Sequence, residues 1–284
     1  MKYLVAGAKG QLGQEIVKLL EELGEEYVAF DSKQLDITNR ELVFQVLGDE
    51  IPDVVLDAAA YTSVDAAEDE GKELNWLVNA EGTKNLADAS VKIDAKLVYI
   101  STDYVFSGDE DKEYKETDLV NPQNEYGKAK LAGERAVQAS GVDHYIIRTS
   151  WVFGEFGNNF VYTMQKLAAK MDTISVVNDQ HGRPTWTRTL ADFIIYLIKN
   201  DIEYGTYNLS NDNTATWYEF ALEILKKRNI SVEPVTSDKF PSKVDRPKNS
   251  VMSLEKSRNT GFSNITWEQA LQRLIKGIDF KKEN

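Results

Sequence analysis

Over the first 150 residues, short apolar runs alternate with longer stretches whose apolar positions recur every three to four residues. The runs 2–7 (KYLVAG), 26–31 (EYVAFD), 53–60 (DVVLDAAA), 96–102 (KLVYIST) and 144–153 (HYIIRTSWVF) predict strands. Between them, 13–23 places Ile16, Val17, Leu19, Leu20 and Leu23 at helical spacing, and 39–49, 73–91 and 121–140 predict further helices. The run DVVLDAAA is nearly continuous in apolar character, as expected of a strand covered on both faces. Such alternation implies an α/β fold with a doubly wound parallel sheet. One stretch, 107–118 (SGDEDKEYKETD), is dense in acids without an apolar period and reads as a solvated surface loop. After Phe153 the alternation weakens into a helix, a strand, a turn around Gly182 and Pro184, and shorter mixed segments. The pattern predicts a first domain over 1–153 and a smaller lobe over 154–284, some of whose segments return to the first domain, with a cleft between them.

Composition narrows the classes. The chain has 284 residues, 42% hydrophobic and 28% charged, as in ordinary globular proteins. No uncharged apolar window approaches the length of a membrane span. The N-terminal apolar run leads into glycines rather than a cleavage site, so a cytoplasmic location is expected. The net charge of −13 argues against nucleic acid or anionic membrane as partner. With no Cys and two His, a zinc site would depend on carboxylates and is not expected.

Two clusters carry chemistry. Gly7, Gly10 and Gly13 fall between the first strand and the first helix, where glycines allow a tight turn, close backbone approach to a pyrophosphate and close helix packing. Asp31 ends the second strand, placed to accept hydrogen bonds from an adenosine ribose. The first domain is therefore expected to be Rossmann-type and to bind a dinucleotide. The second cluster is Tyr126 and Lys130, one helical turn apart, downstream of Thr102 at the C-terminal end of a strand. An ammonium beside a phenol favours the phenolate and lowers its pKa, so the trio can protonate a carbonyl oxygen while hydride reaches the carbon. Tyr162 and Lys166 repeat the spacing, but in an ordinary amphipathic helix with nothing equivalent upstream, and read as structural.

The segments GAKGQLG, AAAYTSVDAAE, STDYVFSG, YGKAKLAGE, RTSWVFG and GRPTWTRTLAD, in this order and across essentially the whole chain, resemble the extended short-chain dehydrogenases/reductases. The resemblance implies a nucleotide-sugar substrate, NADPH or NADH as hydride donor, and reduction of a 4-keto group to give dTDP-L-rhamnose. Carried over by residue, it implies Thr102, Tyr126 and Lys130 as the catalytic set. Gly10, Gln11, Leu12, Asp31, Asp36, Ile37, Ala60, Tyr61 and Thr62 are implied as cofactor contacts, and Asp103 and Trp151 as substrate contacts. Related dehydratases place an Asp–Glu pair after the catalytic Thr. Here Tyr104 follows Asp103, which disfavours dehydration. An epimerase, or a regulatory subunit that binds cofactor without catalysis, remains the alternative reading. Asp31 favours NADH while Ser32 and Lys33 could receive a 2′-phosphate, so use of both cofactors is expected. Arg183, Arg188, Arg246 and Lys248 are candidates for a substrate diphosphate, each weighed against a plain surface charge. Some relatives hold magnesium at a dimer interface through glutamates. Glu15 matches one such position, but Arg188 stands at another, so magnesium is not expected and a monomer or weak homodimer is.

Overall fold

A computed structural model describes residues 1–240 and 243–277. The first domain runs β1 (Lys2–Ala6), α1 (Gln11–Leu23), β2 (Glu26–Phe30), α2 (Arg40–Glu50), β3 (Val54–Asp57), α3 (Lys72–Trp76), α4 (Thr83–Lys92), β4 (Lys96–Thr102), α5 (Glu125–Ser140) and β5 (His144–Thr149). The remainder runs β6 (Val152–Phe153), α6 (Phe160–Ala168), β7 (Thr173–Val177), β8 (His181–Gly182), β9 (Thr185–Trp186), α7 (Thr187–Lys199), β10 (Gly205–Asn208), β11 (Ala215–Thr216), α8 (Trp217–Leu225), β12 (Ser231–Val235), α9 (Glu255–Asn259) and α10 (Trp267–Gly277).

Six strands form a parallel sheet in the order β2-β1-β3-β4-β5-β10. Successive residues of β1 serve opposite faces. Tyr3 and Val5 pack with Ile16 and Leu19 of α1 and with Leu190 and Phe193 of α7. Leu4 and Ala6 pack with Val43 of α2, Leu86 of α4 and Val137 of α5. A sheet with helices on both faces buries side chains on both sides, hence the apolar runs. The chain leaves β1 towards β2 on one side and resumes with β3 on the other. Next to β1 the strand order reverses, which opens a crevice at the strands' C-terminal ends.

After β9 the chain returns to this sheet, with α7 packing on α1 and β10 extending β5. The second lobe has its own core, where Phe153, Val161, Ile174, Phe220, Trp267 and Leu271 converge from β6, α6, β7, α8 and α10.

Three expectations change. The helix expected over 73–91 is α3, a π-helical turn at Leu77–Gly82 and α4 in immediate succession. The strand expected over 144–153 ends at Thr149, because Trp151 takes a left-handed backbone (φ +48°) before β6. The acidic loop is not simply solvated. Tyr114 is buried and stacks on Phe106, Glu113 pairs with buried Arg183 at 2.5 Å, and the Glu116 carbonyl accepts from Arg148 at 3.2 Å. Two buried guanidiniums thus anchor the loop, one through a carboxylate and one through a carbonyl.

Candidate active site

The crevice is a cleft of about 640 Å³ whose walls include Gly10, Gln11, Leu12, Ala60, Thr62, Thr102, Asp103, Tyr126, Lys130 and Trp151. The glycine loop forms one end. Gly7 has φ +77°, and a Cβ there would lie 2.6 Å from the Ala59 nitrogen. A Cβ at Gly13 would lie 2.2 Å from the Gly7 carbonyl oxygen. Backbone therefore packs on backbone. The N-terminus of α1 carries no side-chain cap on Gly10, and its first residues face the cleft. A bare helix N-terminus over such a loop fits a pyrophosphate.

Asp31 is not a free ribose acceptor. Its carboxylate pairs with Lys9 and accepts the Lys33 and Gln34 backbone N–H groups at 2.9 and 3.1 Å. The Lys9 ammonium holds it below its ordinary pKa. Lys9, inside the glycine loop, also lines the cleft and went unremarked in the sequence. Asp36 accepts from Thr38, Ile37 is buried in the core, and neither belongs to the cleft wall. Tyr61 is also outside the wall, but its backbone is clamped on both sides by Asn79, whose side chain accepts from Tyr61 N at 3.1 Å and donates to Tyr61 O at 2.9 Å. Asn79 sits in the π-helical turn and so fixes the loop that carries Ala60 and Thr62.

At the other end, Thr102 terminates β4 while Tyr126 and Lys130 rise from the first turns of α5, whose N-cap Asn124 accepts from Gly127 N at 2.8 Å. Thr102 donates to Asp103 Oδ1 at 2.9 Å, and Asp103 Oδ2, although buried, has no hydrogen-bond partner. Burial pushes the Asp103 carboxyl up to about 6, partly offset by the Ser250 and Thr102 hydroxyls. Tyr126 departs from expectation. Burial, with the Asp103 carboxylate, raises its pKa well above the ordinary phenol value, and a hydrogen bond with Thr102 only partly offsets this. Lys130 does not lower it: the lysine's charge is turned towards other groups. Its Nζ lies 4.1 Å from the centre of the Tyr99 ring. Burial lowers Lys130 to about 8, against the pull of the Asp57 and Glu134 carboxylates. Asp57, an acid ending an otherwise apolar strand, lines the cleft, accepts from Thr83 Oγ1 at 3.1 Å and is raised by burial to about 6. Its presence was legible in DVVLDAAA but unused.

Of the four candidate cations only Arg246 lines the cleft, where it pairs with Asp65 at 2.6 Å and donates to Tyr104 Oη at 3.4 Å. Arg183 is committed to Glu113. Arg188 pairs with Glu22 and Asp192 and lies 3.8 Å from Glu15 of its own chain. Buried Glu15 also accepts from Thr187 at 3.0 Å. Among the described residues no group of three or more His, Asp or Glu side chains is arranged to hold a metal, and no helix is long and apolar enough to cross a membrane.

The family model described as the RmlD substrate binding domain matches residues 1–280. The dTDP-4-dehydrorhamnose reductase of Aggregatibacter actinomycetemcomitans is 38% identical, over 96% of this chain and 98% of its own. The structure of dTDP-4-dehydrorhamnose reductase from Bacillus anthracis in complex with NADP is 40% identical, with a TM-score of 0.94 over 98% of this chain and 99% of that one. The structure of a dTDP-4-dehydrorhamnose reductase from Clostridium acetobutylicum is 41% identical, with a TM-score of 0.94 over 97% and 99% of the two chains. Identity at this level over both full lengths, on the sheet and cleft described above, makes this chain a member of the dTDP-4-dehydrorhamnose reductase family, within the extended short-chain dehydrogenases/reductases.

Proposed function

We propose that this chain reduces the 4-keto group of dTDP-4-dehydro-β-L-rhamnose to give dTDP-L-rhamnose, with Tyr126 as proton donor. The observation that carries the reading is the convergence of buried Thr102 and Lys130 and half-buried Tyr126 on the cleft that begins at the bare N-terminus of α1. A bound NADPH or NADH supplies a hydride to the carbonyl carbon. Gly10, Gln11 and Leu12 would hold its pyrophosphate through backbone N–H groups. Thr102 turns its hydroxyl from Asp103 Oδ1 to the carbonyl oxygen and orients it. Tyr126, kept protonated by burial, gives its proton to that oxygen as the C–H bond forms, so the ketone becomes an alcohol and the tyrosine a phenolate. Once the phenolate forms, the Lys130 ammonium on the same cleft wall turns from the Tyr99 ring to stabilise it until solvent restores the proton. Asp103 Oδ2, an acceptor without a partner, suits a sugar hydroxyl.

A substrate panel tests the assignment. Turnover of dTDP-4-keto-6-deoxy sugars should exceed that of their UDP and GDP counterparts with either reduced cofactor. Equal turnover across the three nucleotides would overturn the dTDP assignment, and redox-neutral epimerisation without net cofactor oxidation would overturn the reductase.

A further inference from the structure

Trp151 stands at the cleft wall on strained backbone. Its φ of +48° is one an indole-bearing residue adopts only at a cost of roughly 1–2 kcal/mol, and such strain persists where the surroundings over-determine it. The conformation swings the side chain off the end of β5 towards the second lobe. There it stacks on Trp217, the rings nearly parallel at 9° with centroids 3.7 Å apart. From another direction Gly182 comes so close that a Cβ on it would lie 2.5 Å from the indole.

These two supports belong to one mount. Gly182 in β8 pairs with Ala215 in β11, and Thr216 pairs with His181. Trp217 is the next residue and the first of α8. That helix start is fixed by a capping box between Thr216 and Glu219, and Thr216 Oγ1 donates to Asn178 at 2.8 Å. Phe160 of α6 packs on Trp217 at 4.7 Å, and Phe220 one turn along α8 packs on Phe153 and Phe160. The β8–β11 ladder thus presents Trp217 from the lobe core. Trp151, Trp217 and Phe160 all line the cleft, and together they make an apolar aromatic wall suited to the C–H face of a hexose ring.

We propose that Trp217 is a positioning residue, holding the Trp151 indole at the sugar subsite through the β8–β11 mount. This rests on Trp151 being a substrate contact, as the family resemblance implies for that position, and on the function proposed above. Without Trp217 the strained backbone of Trp151 loses its main counterweight, and the sugar loses an ordered wall. The cofactor end of the cleft, built from α1 and β1, is untouched.

The test compares wild type with Trp217→Ala, Trp217→Phe and Gly182→Ala, using steady-state kinetics with dTDP-4-keto-6-deoxy sugar and NADPH varied in turn, and near-ultraviolet circular dichroism without substrate. Losing the stack should raise the KM for the sugar about tenfold, equivalent to about 1.4 kcal/mol, while the KM for NADPH stays within about twofold. Trp217→Phe, which keeps a ring to stack, should restore most of the loss. Gly182→Ala should raise the sugar KM with Trp217 intact, and it decides the matter if the alanine variant of Trp217 does not fold. The couplet of two stacked indoles should vanish in Trp217→Ala. A Trp217→Ala enzyme that melts earlier but keeps its sugar KM, or a phenylalanine variant as impaired as alanine, overturns the proposal. A surviving couplet does so too, and because it is read without substrate it tests the mount even if the sugar assignment fails.

Discussion

Two Tyr-x-x-x-Lys pairs lie on two helices of this molecule, and only depth and neighbours separate them. Tyr126 and Lys130 on α5 both face the cleft, and Lys130 is 2% exposed with buried carboxylates for company. Tyr162 on α6, half-buried like Tyr126, spends its hydroxyl on the Glu155 carbonyl at 2.7 Å, while Lys166, unlike Lys130, is exposed to solvent. Spacing of four residues is a property of any helix. Acid–base chemistry needs the pair taken out of water, so that its protonation states answer to a few fixed groups. The first pair starts a helix beside the end of β4. The second packs against a loop.

The contrast is easiest to break at the phenols. Tyr126→Phe should lose about 10²–10⁴ in kcat while binding cofactor as before, since only the transferable proton is gone. Tyr162→Phe should be nearly silent in the same assay. If the two variants behaved alike, depth would not be what separates the pairs.

The lysines sharpen it next. Burial brings Lys130 down to about 8, so its ammonium is present below that pH and lost above it. The log of kcat/KM should be level between about 6, where the Asp57 and Asp103 carboxyls titrate, and about 8, and then fall with a slope near −1, tenfold per pH unit. Lys130→Arg, charged throughout this range, should remove the alkaline limb whatever its residual activity. A profile level to pH 10 in the wild type would mean that the Lys130 charge is not used.

Smaller effects concern the rest of the cleft. Lys9 already neutralises Asp31, so a 2′-phosphate meets less repulsion than the sequence suggested. The kcat/KM values with NADPH and NADH should agree within about tenfold, or about 1.4 kcal/mol. A hundredfold preference in either direction would refute dual use. Smallest of all should be the effect of EDTA. Arg188 lies beside Glu15 and already holds Glu22 and Asp192, so activity and molar mass by light scattering should not change on chelation. Loss of activity restored by magnesium would contradict this.

Much of the frame was legible because periodicity and burial are linked: β1, β3 and β4 carry unbroken apolar runs because helices cover both faces of the sheet. The glycine loop was legible because no other residue fits where Gly13 meets the Gly7 carbonyl. Asp31 was only half legible, since nothing in the order of residues shows that Lys9 folds back across 22 positions to occupy it. The acidic loop is exposed over most of its length, as its composition implies, but its anchoring contacts were hidden for a similar reason. Its partners Arg148 and Arg183 lie far along the chain and become visible only once folded.

By itself the sequence determined the strand–helix alternation, the dinucleotide loop, and the placing of Thr102, Tyr126 and Lys130 at strand and helix ends, all consequences of local spacing and of which side chains avoid water. The tertiary structure alone decided which tyrosine faces the cleft and which way its pKa moves. It also decided which arginine reaches the cleft, and that Trp151 would meet Trp217. Those outcomes depend on desolvation and on contacts between residues tens of positions apart, quantities that exist only once the two lobes have closed on each other.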